Sequence, residues 1–143
     1  MGHADHEQQA QAAITQAIRC GVLTISDTRT ADTDTSGAAA RALLEEAGHA
    51  VVAYALAKDE PAAIAAQVRA WAAGECQIII TNGGTGITRR DSTFEAIDGL
   101  LEKRLPGFGE LFRMLSYEQI GAAAMLSRAT AGLHGNACVF CLP

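Results

Sequence analysis

Residues 78–91, I-I-I-T-N-G-G-T-G-I-T-R-R-D, constrain the fold of this chain more than any other stretch. A β-branched apolar run of this kind suits a strand buried on both faces. It breaks at Gly83, Gly84, Thr85 and Gly86 and closes on Arg89, Arg90 and Asp91 before a new helical pattern begins. Three glycines in four residues add nothing to a core, but they let backbone N–H groups converge on an anion with no Cβ in the way. Strand, glycine loop and helix form the setting in which open α/β sheets bind ligands, at the carboxyl ends of their strands.

The rest of the chain repeats that alternation. A strand over 21–25 ends at Ser26-Asp27 and runs into the polar segment T-R-T-A-D-T-D-T-S-G. Thr35 or Ser36 can cap the next helix, whose spacing puts Ala40, Leu43, Leu44 and Ala47 on one face, with Gly48 as its stop. A second strand, 50–57, ends at Lys58-Asp59-Glu60-Pro61. The following helix shows Ile64, Val68 and Trp71 at helical spacing, with Pro61 in its first turn and Ala73-Gly74 at its end. The third strand, 77–81, carries the glycine loop. Ser92 and Glu95 are spaced as a capping box for a helix reaching about Lys103. Pro106-Gly107-Phe108-Gly109 interrupts, 110–117 reads as a helix, 122–126 as a helical turn, 127–132 as a loop, and 136–142 as the last strand. Three successive β-helix units predict one three-layer α/β domain with a mostly parallel sheet, connected right-handedly and flanked by helices. At 143 residues the chain suits a single domain, 19–143, preceded by a Gln- and Ala-rich extension, 1–18, that is flexible or helical.

Composition excludes several classes of function. A net charge of −5 leaves no electrostatic footprint for nucleic acid or an anionic membrane surface. No apolar run approaches the ~20 residues of a membrane span. The start, M-G-H-A-D-H-E-Q-Q, has neither the basic end nor the apolar block of a secretory signal. Cys138 and Cys141 form a C-x-x-C inside a strand pattern, where an odd spacing sends the side chains to opposite faces, unable to share a metal or a disulfide. With Cys20 and Cys76 they read as small buried thiols in a reducing cytoplasm. His3 and His6 sit in the polar extension and read as solvated.

In a parallel sheet the strand ends share one rim, which would collect Ser26-Asp27, Lys58-Asp59 and residues 82–91. The glycine loop is neither a Walker A motif nor the dinucleotide fingerprint. It reads as a phosphate cradle, strengthened if Arg89 or Arg90 points inward. Asp59, just ahead of Glu60-Pro61, reads first as a helix cap, and Asp27 as a brace for the turn after it. Asp91 has no such duty once Ser92 supplies the cap. Two carboxylates beside a phosphate site suit Mg²⁺, which takes a few oxygen ligands and completes its shell with substrate phosphates. No serine, histidine and aspartate arrangement for nucleophilic catalysis emerges. The apolar runs 100–101 and 111–115 read as core or subunit interface.

T-I-S-D-T-R-T from Thr24, D-T-S-G from Asp34, K-D-E around Asp59, T-N-G-G-T-G-I-T-R-R-D from Thr81, P-G-F-G-E from Pro106 and L-S-R-A-x-x-G from Leu126 together resemble the MoaB/MogA family of molybdenum cofactor biosynthesis. The likeness runs from about Arg19 to Pro143. It implies a molybdopterin-binding α/β domain, commonly a homotrimer or a homohexamer built as a dimer of trimers, working beside other proteins of that pathway. It also implies adenylyl transfer, in which molybdopterin and Mg-ATP give adenylyl-molybdopterin and pyrophosphate. By the resemblance the required aspartates, with Mg²⁺ as the expected cofactor, fall on Asp59 and Asp91. The nucleotide and pterin site falls on Ser26, Asp27, Asn82, Gly83, Gly84, Thr85 and Gly86, and the pterin phosphate side on Ser127 and Arg128. The family continues past the last strand with Pro-Gly-Ser or Pro-Gly-Asn and a closing helix, whereas this sequence stops at Pro143, so the expected domain lacks that helix. A non-catalytic oligomeric molybdopterin carrier is the alternative reading, and a nucleotide pyrophosphatase on the same domain a weaker one.

Overall fold

The computed structural model describes residues 2–13 and 16–143. Six strands form one sheet in the order β2-β1-β3-β6-β5-β4: β1 (Arg19–Ile25), β2 (Ala50–Ala57), β3 (Ile78–Asn82), β4 (Lys103–Arg104), β5 (Thr130–His134) and β6 (Ala137–Leu142). The first four in that order are mutually parallel; β5 and β4 run antiparallel to their neighbours. The expected mostly parallel, helix-flanked sheet is therefore present. The 1–18 extension contains a helix, α1 (His3–Ala13), exposed from His3 to Ala12; Met1, Ile14 and Thr15 lie outside the described residues.

Strand alternation divides the side chains between two helical layers. On one face Leu23, Ile25, Ile79, Ala137, Val139 and Cys141 pack against Ile64 and Val68 of α3 (Pro61–Ala73) and Ala96 and Ile97 of α4 (Thr93–Asp98). This is the core, and α3 buries two of its three predicted positions fully and Trp71 in part. The other face carries α2 (Thr35–Glu46) and α5 (Pro106–Ile120). Phe108 of α5 meets Phe140 of β6 edge-on, with ring centroids 5.2 Å apart. Between α2 and α5 an apolar cleft of about 280 Å³ remains, lined by Cys20, Leu44, Ile78, Ile80, Phe140 and Leu142 among others. The alternation of β6 puts Cys141 in the core and Cys138 on the opposite face, as their spacing predicts. Burial, the largest of several influences, pushes the Cys141 thiol up to about 11.

Several local expectations need correction. The cap of α2 is Asp34, not Thr35 or Ser36; its carboxylate accepts the Gly37 N–H at 3.0 Å. That shifts the packing face of α2 to Gly37, Ala40 and Leu44, and leaves Leu43 in solvent. The Ser92–Glu95 box does not form, because both side chains are captured by partners distant in sequence: Ser92 by Asp59 and Glu95 by Arg128. Helix α4 accordingly ends at Asp98, and Lys103–Arg104 pairs with β5 instead of closing a helix. Pro106 begins α5 at its first position, where a missing N–H costs no hydrogen bond, so the helix starts before Glu110 and runs to Ile120. A 3₁₀ turn at Gly121–Leu126 follows. The predicted 127–132 loop is half strand: Gly132 lets β5 pass so close to β4 that a Cβ would collide with the Lys103 carbonyl.

The order β2-β1-β3 fixes where a ligand can sit. From β1 the chain leaves to α2 on one face, and from β3 to α4 on the other, so their carboxyl ends part and open a crevice.

Candidate functional site

The crevice between the ends of β1 and β3 is a polar cleft of about 400 Å³. Ser26, Thr28, Arg29 and Ser36 line it from the β1 side, Asn82 and Gly83 from the β3 side. The Ser26 hydroxyl accepts the N–H groups of Thr28 (3.2 Å) and Arg29 (3.0 Å), which curls the polar segment back over the strand ends. Arg29 Nη1 then donates to Ser36 Oγ at 2.6 Å. Ser36 in turn donates to Asn82 Oδ1 (2.9 Å), and Asn82 Nδ2 to Thr24 Oγ1 (2.9 Å). The Asn82 side chain is thus a tie between β3, β1 and α2. Arg29 and Ser36 were not singled out from the sequence; the D-T-S-G segment holding Ser36 was the available signal.

The glycine loop is shaped by close approach. Gly83, at φ +105°, lies so near the Ile25 carbonyl that no Cβ fits, and its N–H donates to the Leu142 carbonyl at 2.9 Å. Gly84, at φ +68°, would press a Cβ into the Thr93 hydroxyl and to 2.8 Å from Asp59 Oδ2. Both positions favour glycine by backbone as well as by space. Three carbonyls of the loop are engaged: Gly84 O by the Thr93 N–H (3.1 Å), Thr85 O by the Arg128 N–H (3.1 Å), and Gly86 O by Arg128 Nη2 (2.7 Å). Among the described residues no acceptor takes the N–H of Thr85, Gly86 or Ile87. A trans peptide points its N–H opposite to its C=O, so these three donors lie on the side away from the groups holding the carbonyls. Such a set is a concave source of positive potential. Ile87 enters it through its backbone alone, which no side-chain motif could reveal.

The three polar clusters of the rim do meet. Arg90 grips Asp27 with Nε at 3.0 Å from Oδ2 and Nη2 at 2.7 Å from Oδ1. Asp27 Oδ1 also accepts the Asp59 N–H at 3.1 Å. The hydrogen bonds from Arg90, then that from Asp59, hold the Asp27 carboxyl below the usual carboxylate range. Arg89 and Arg90 are both exposed, and it is Arg90 that bonds to the rim, through Asp27. Asp59 is only 8% exposed and does not cap its own helix, whose N-cap position is Glu60. One oxygen, Oδ1, instead accepts from Ser92 N (3.0 Å) and Ser92 Oγ (2.6 Å). Asp91 has a structural duty after all: its Oδ2 accepts the N–H (2.9 Å) and hydroxyl (2.6 Å) of Thr88 and closes the turn after the glycines. Each aspartate thus holds protein donors on one oxygen, while among the described residues its other oxygen, Asp59 Oδ2 or Asp91 Oδ1, takes no hydrogen bond.

Ser127 and Arg128 come from the turn between the 3₁₀ segment and β5. The Ser127 hydroxyl is buried and lacks a partner among the described residues, and its carbonyl accepts from Arg113 Nη1 at 3.3 Å. Arg128 reaches beneath the glycine loop, pairs with Glu95 and lies 5.0 Å from the Phe94 ring centroid.

Free backbone N–H groups in a loop at the switch point of a doubly wound α/β sheet are a setting in which such folds hold anions. Residues 21–143 match the family profile described as a probable molybdopterin binding domain. The chain is 48% identical over 145 residues to molybdenum cofactor biosynthesis protein B of Bacillus cereus, covering 100% of this chain and 83% of that protein. It superposes on a crystal structure of a molybdenum cofactor biosynthesis protein B with TM-score 0.87 and 51% identity, covering 90% and 81% of the two chains. The MoaB structure from Thermus thermophilus gives TM-score 0.79 and 39% identity, covering 88% and 80%. The chain belongs to the MoaB family of molybdenum cofactor biosynthesis and carries its molybdopterin-binding domain. Among the described residues no helix is long and apolar enough to cross a membrane.

Proposed function

We propose that the protein transfers the adenylyl group of ATP to the terminal phosphate of molybdopterin. In that reaction a phosphate oxygen of molybdopterin forms a bond to the α-phosphorus of ATP as the bond to pyrophosphate breaks. The observation that carries the reading is the glycine loop, where the carbonyls of Gly84, Thr85 and Gly86 are engaged while the N–H groups of Thr85, Gly86 and Ile87 take no acceptor among the described residues. Fixed donors of this kind stabilise the charge that develops on phosphate oxygens, and phosphoryl-type transfer needs positioning and charge neutralisation rather than a protein nucleophile. Asp59 and Asp91, each with one oxygen not hydrogen-bonded to a described residue, suit Mg²⁺ held by one or two carboxylates with phosphates completing its shell. When bound, the ion would supply charge neutralisation at the phosphates. Ser26, Arg29, Ser36 and Gly83 line the remainder of the cleft and would orient the substrates.

A second reading, a carrier that binds molybdopterin without turning it over, is favoured by one detail. Both aspartates already serve protein donors, Asp59 for Ser92 and Asp91 for Thr88, so both have structural work apart from any metal. Incubation with molybdopterin and Mg-ATP, followed by mass analysis, separates the two. Adenylyl-molybdopterin with stoichiometric pyrophosphate supports transfer; pterin retained without product supports the carrier.

A further inference from the structure

We propose that Arg128 is a positioning residue that gives the glycine loop its donor face, rather than a ligand of the substrate phosphate; this rests on the anion-binding reading of that loop. Every nitrogen of the Arg128 guanidinium already has a protein partner. Its Nε donates to Gly86 O at 3.0 Å and Thr85 O at 3.4 Å, and Nη2 to Gly86 O at 2.7 Å and Asp91 O at 3.2 Å. The remaining nitrogen, Nη1, pairs with Glu95. The Arg128 backbone N–H adds a bond to Thr85 O at 3.1 Å. Nε and Nη2, the two nitrogens that face the loop, are thus occupied by loop carbonyls, and a phosphate would have to displace those bonds to take either of them.

The consequence lies in the peptide planes. Drawing the Thr85 and Gly86 carbonyls toward Arg128 turns the N–H groups of Gly86 and Ile87 the opposite way. The Thr93 N–H, holding Gly84 O at 3.1 Å, does the same for the Thr85 N–H. A flexible stretch with three glycines has many alternative peptide orientations, and a planar fork bridging successive carbonyls selects among them. Arg128 is itself anchored. Arg113 of α5 donates to the carbonyls on either side of it, Ser127 O at 3.3 Å and Ala129 O at 3.1 Å. The loop's donor face is thereby fixed from α5, through the turn before β5.

The charge-conserving substitution decides between positioning and direct contact. Lysine keeps the cation but not the fork, so Arg128→Lys should behave like Arg128→Ala if carbonyl bridging is what matters, and much like the wild type if charge at the phosphate is. Binding of inorganic pyrophosphate, followed by ¹⁵N–¹H NMR, should weaken about tenfold or more in both variants, in line with the strength of several charge-assisted bonds. Without any ligand, amide exchange at Thr93 and Asp91 should quicken in both, while core amides at Leu23, Ile79 and Val139 stay protected. Lysine binding pyrophosphate within about twofold of wild type, or unchanged loop exchange in Arg128→Ala, overturns the proposal. Should the wild type bind no pyrophosphate, the anion reading of the loop falls, and the exchange measurement alone decides what Arg128 does.

Discussion

Asp34 shows how a single buried charge can set the acid limit of a fold. It is 2% exposed, and it accepts the Tyr54 hydroxyl at 2.5 Å and the Gly37 N–H at 3.0 Å. Burial pushes its pKa up, but the bonds from Tyr54, Thr24 and Gly37 outweigh that, and it rests below the ordinary value. A carboxylate depressed in the folded state contributes stability that is complete above its unfolded pKa of about 3.9 and is lost as pH falls through the folded value. Asp34→Asn should therefore lower stability at neutral pH and flatten the acid limb below about pH 4, measured by urea unfolding at stepped pH. Tyr54→Phe removes a hydrogen bond to a charged group and should cost about 1.5–3 kcal/mol in the same assay. The rim aspartates answer to different tests. In Asp91→Asn the amide oxygen can still accept from Thr88, so the thermal midpoint should hardly move, while adenylyl transfer falls by orders of magnitude; normal turnover would sink the metal-site assignment. Ser92→Ala takes a hydroxyl from Asp59 rather than a cap from α4, so turnover should drop together with stability.

At the scale of elements, what the sequence revealed followed the range of the interaction that decides each one. Strand β2 appears at 50–57 and α3 at Pro61–Ala73 as expected, because the apolar run of 50–57, Pro61 and the Ile64–Val68 spacing are all local signals. The rim was legible too, since a parallel sheet must bring Asp27, Asp59 and the glycine loop together. Misreadings arose where a distant partner outbid a near one. The Ser92–Glu95 spacing is a sound local cap, yet Asp59 and Arg128, each 33 residues away from its partner, took both side chains. The 127–132 segment looked like a loop because its small residues lack strand propensity. What makes β5 is the tight seat of Gly132 against β4. Gly132→Ala should therefore destabilise by about 1–3 kcal/mol through overpacking, seen as a lower midpoint of denaturant unfolding.

The whole molecule leaves Leu111, Met114, Leu115, Tyr117 and Ile120 of α5 exposed, followed by Met125 and Leu126 of the 3₁₀ turn. A contiguous apolar surface of this kind marks an interface. We expect light scattering to give a threefold or sixfold multiple of the 14.9 kDa chain, and Leu111→Glu with Leu115→Glu to reduce it to the monomer. A wild-type monomer at micromolar concentration would contradict that assembly. The sheet order carries a consequence of another kind. Strand β6 follows the other five in the chain, but its place is between β3 and β5, near the middle of the sheet. Until residues 137–142 emerge, the edge of β3 stays bare, and Ile79, Ile97 and Leu101 lack the Val139 and Cys141 side of their core. A chain made only through Asn136 therefore cannot close, and its apolar strand edge is open to pairing. During that interval the growing polypeptide depends on whatever shields it. A released fragment ending at Asn136 should remain as protease-sensitive as an unfolded chain, whereas the chain that carries residues 137–142 should resist protease.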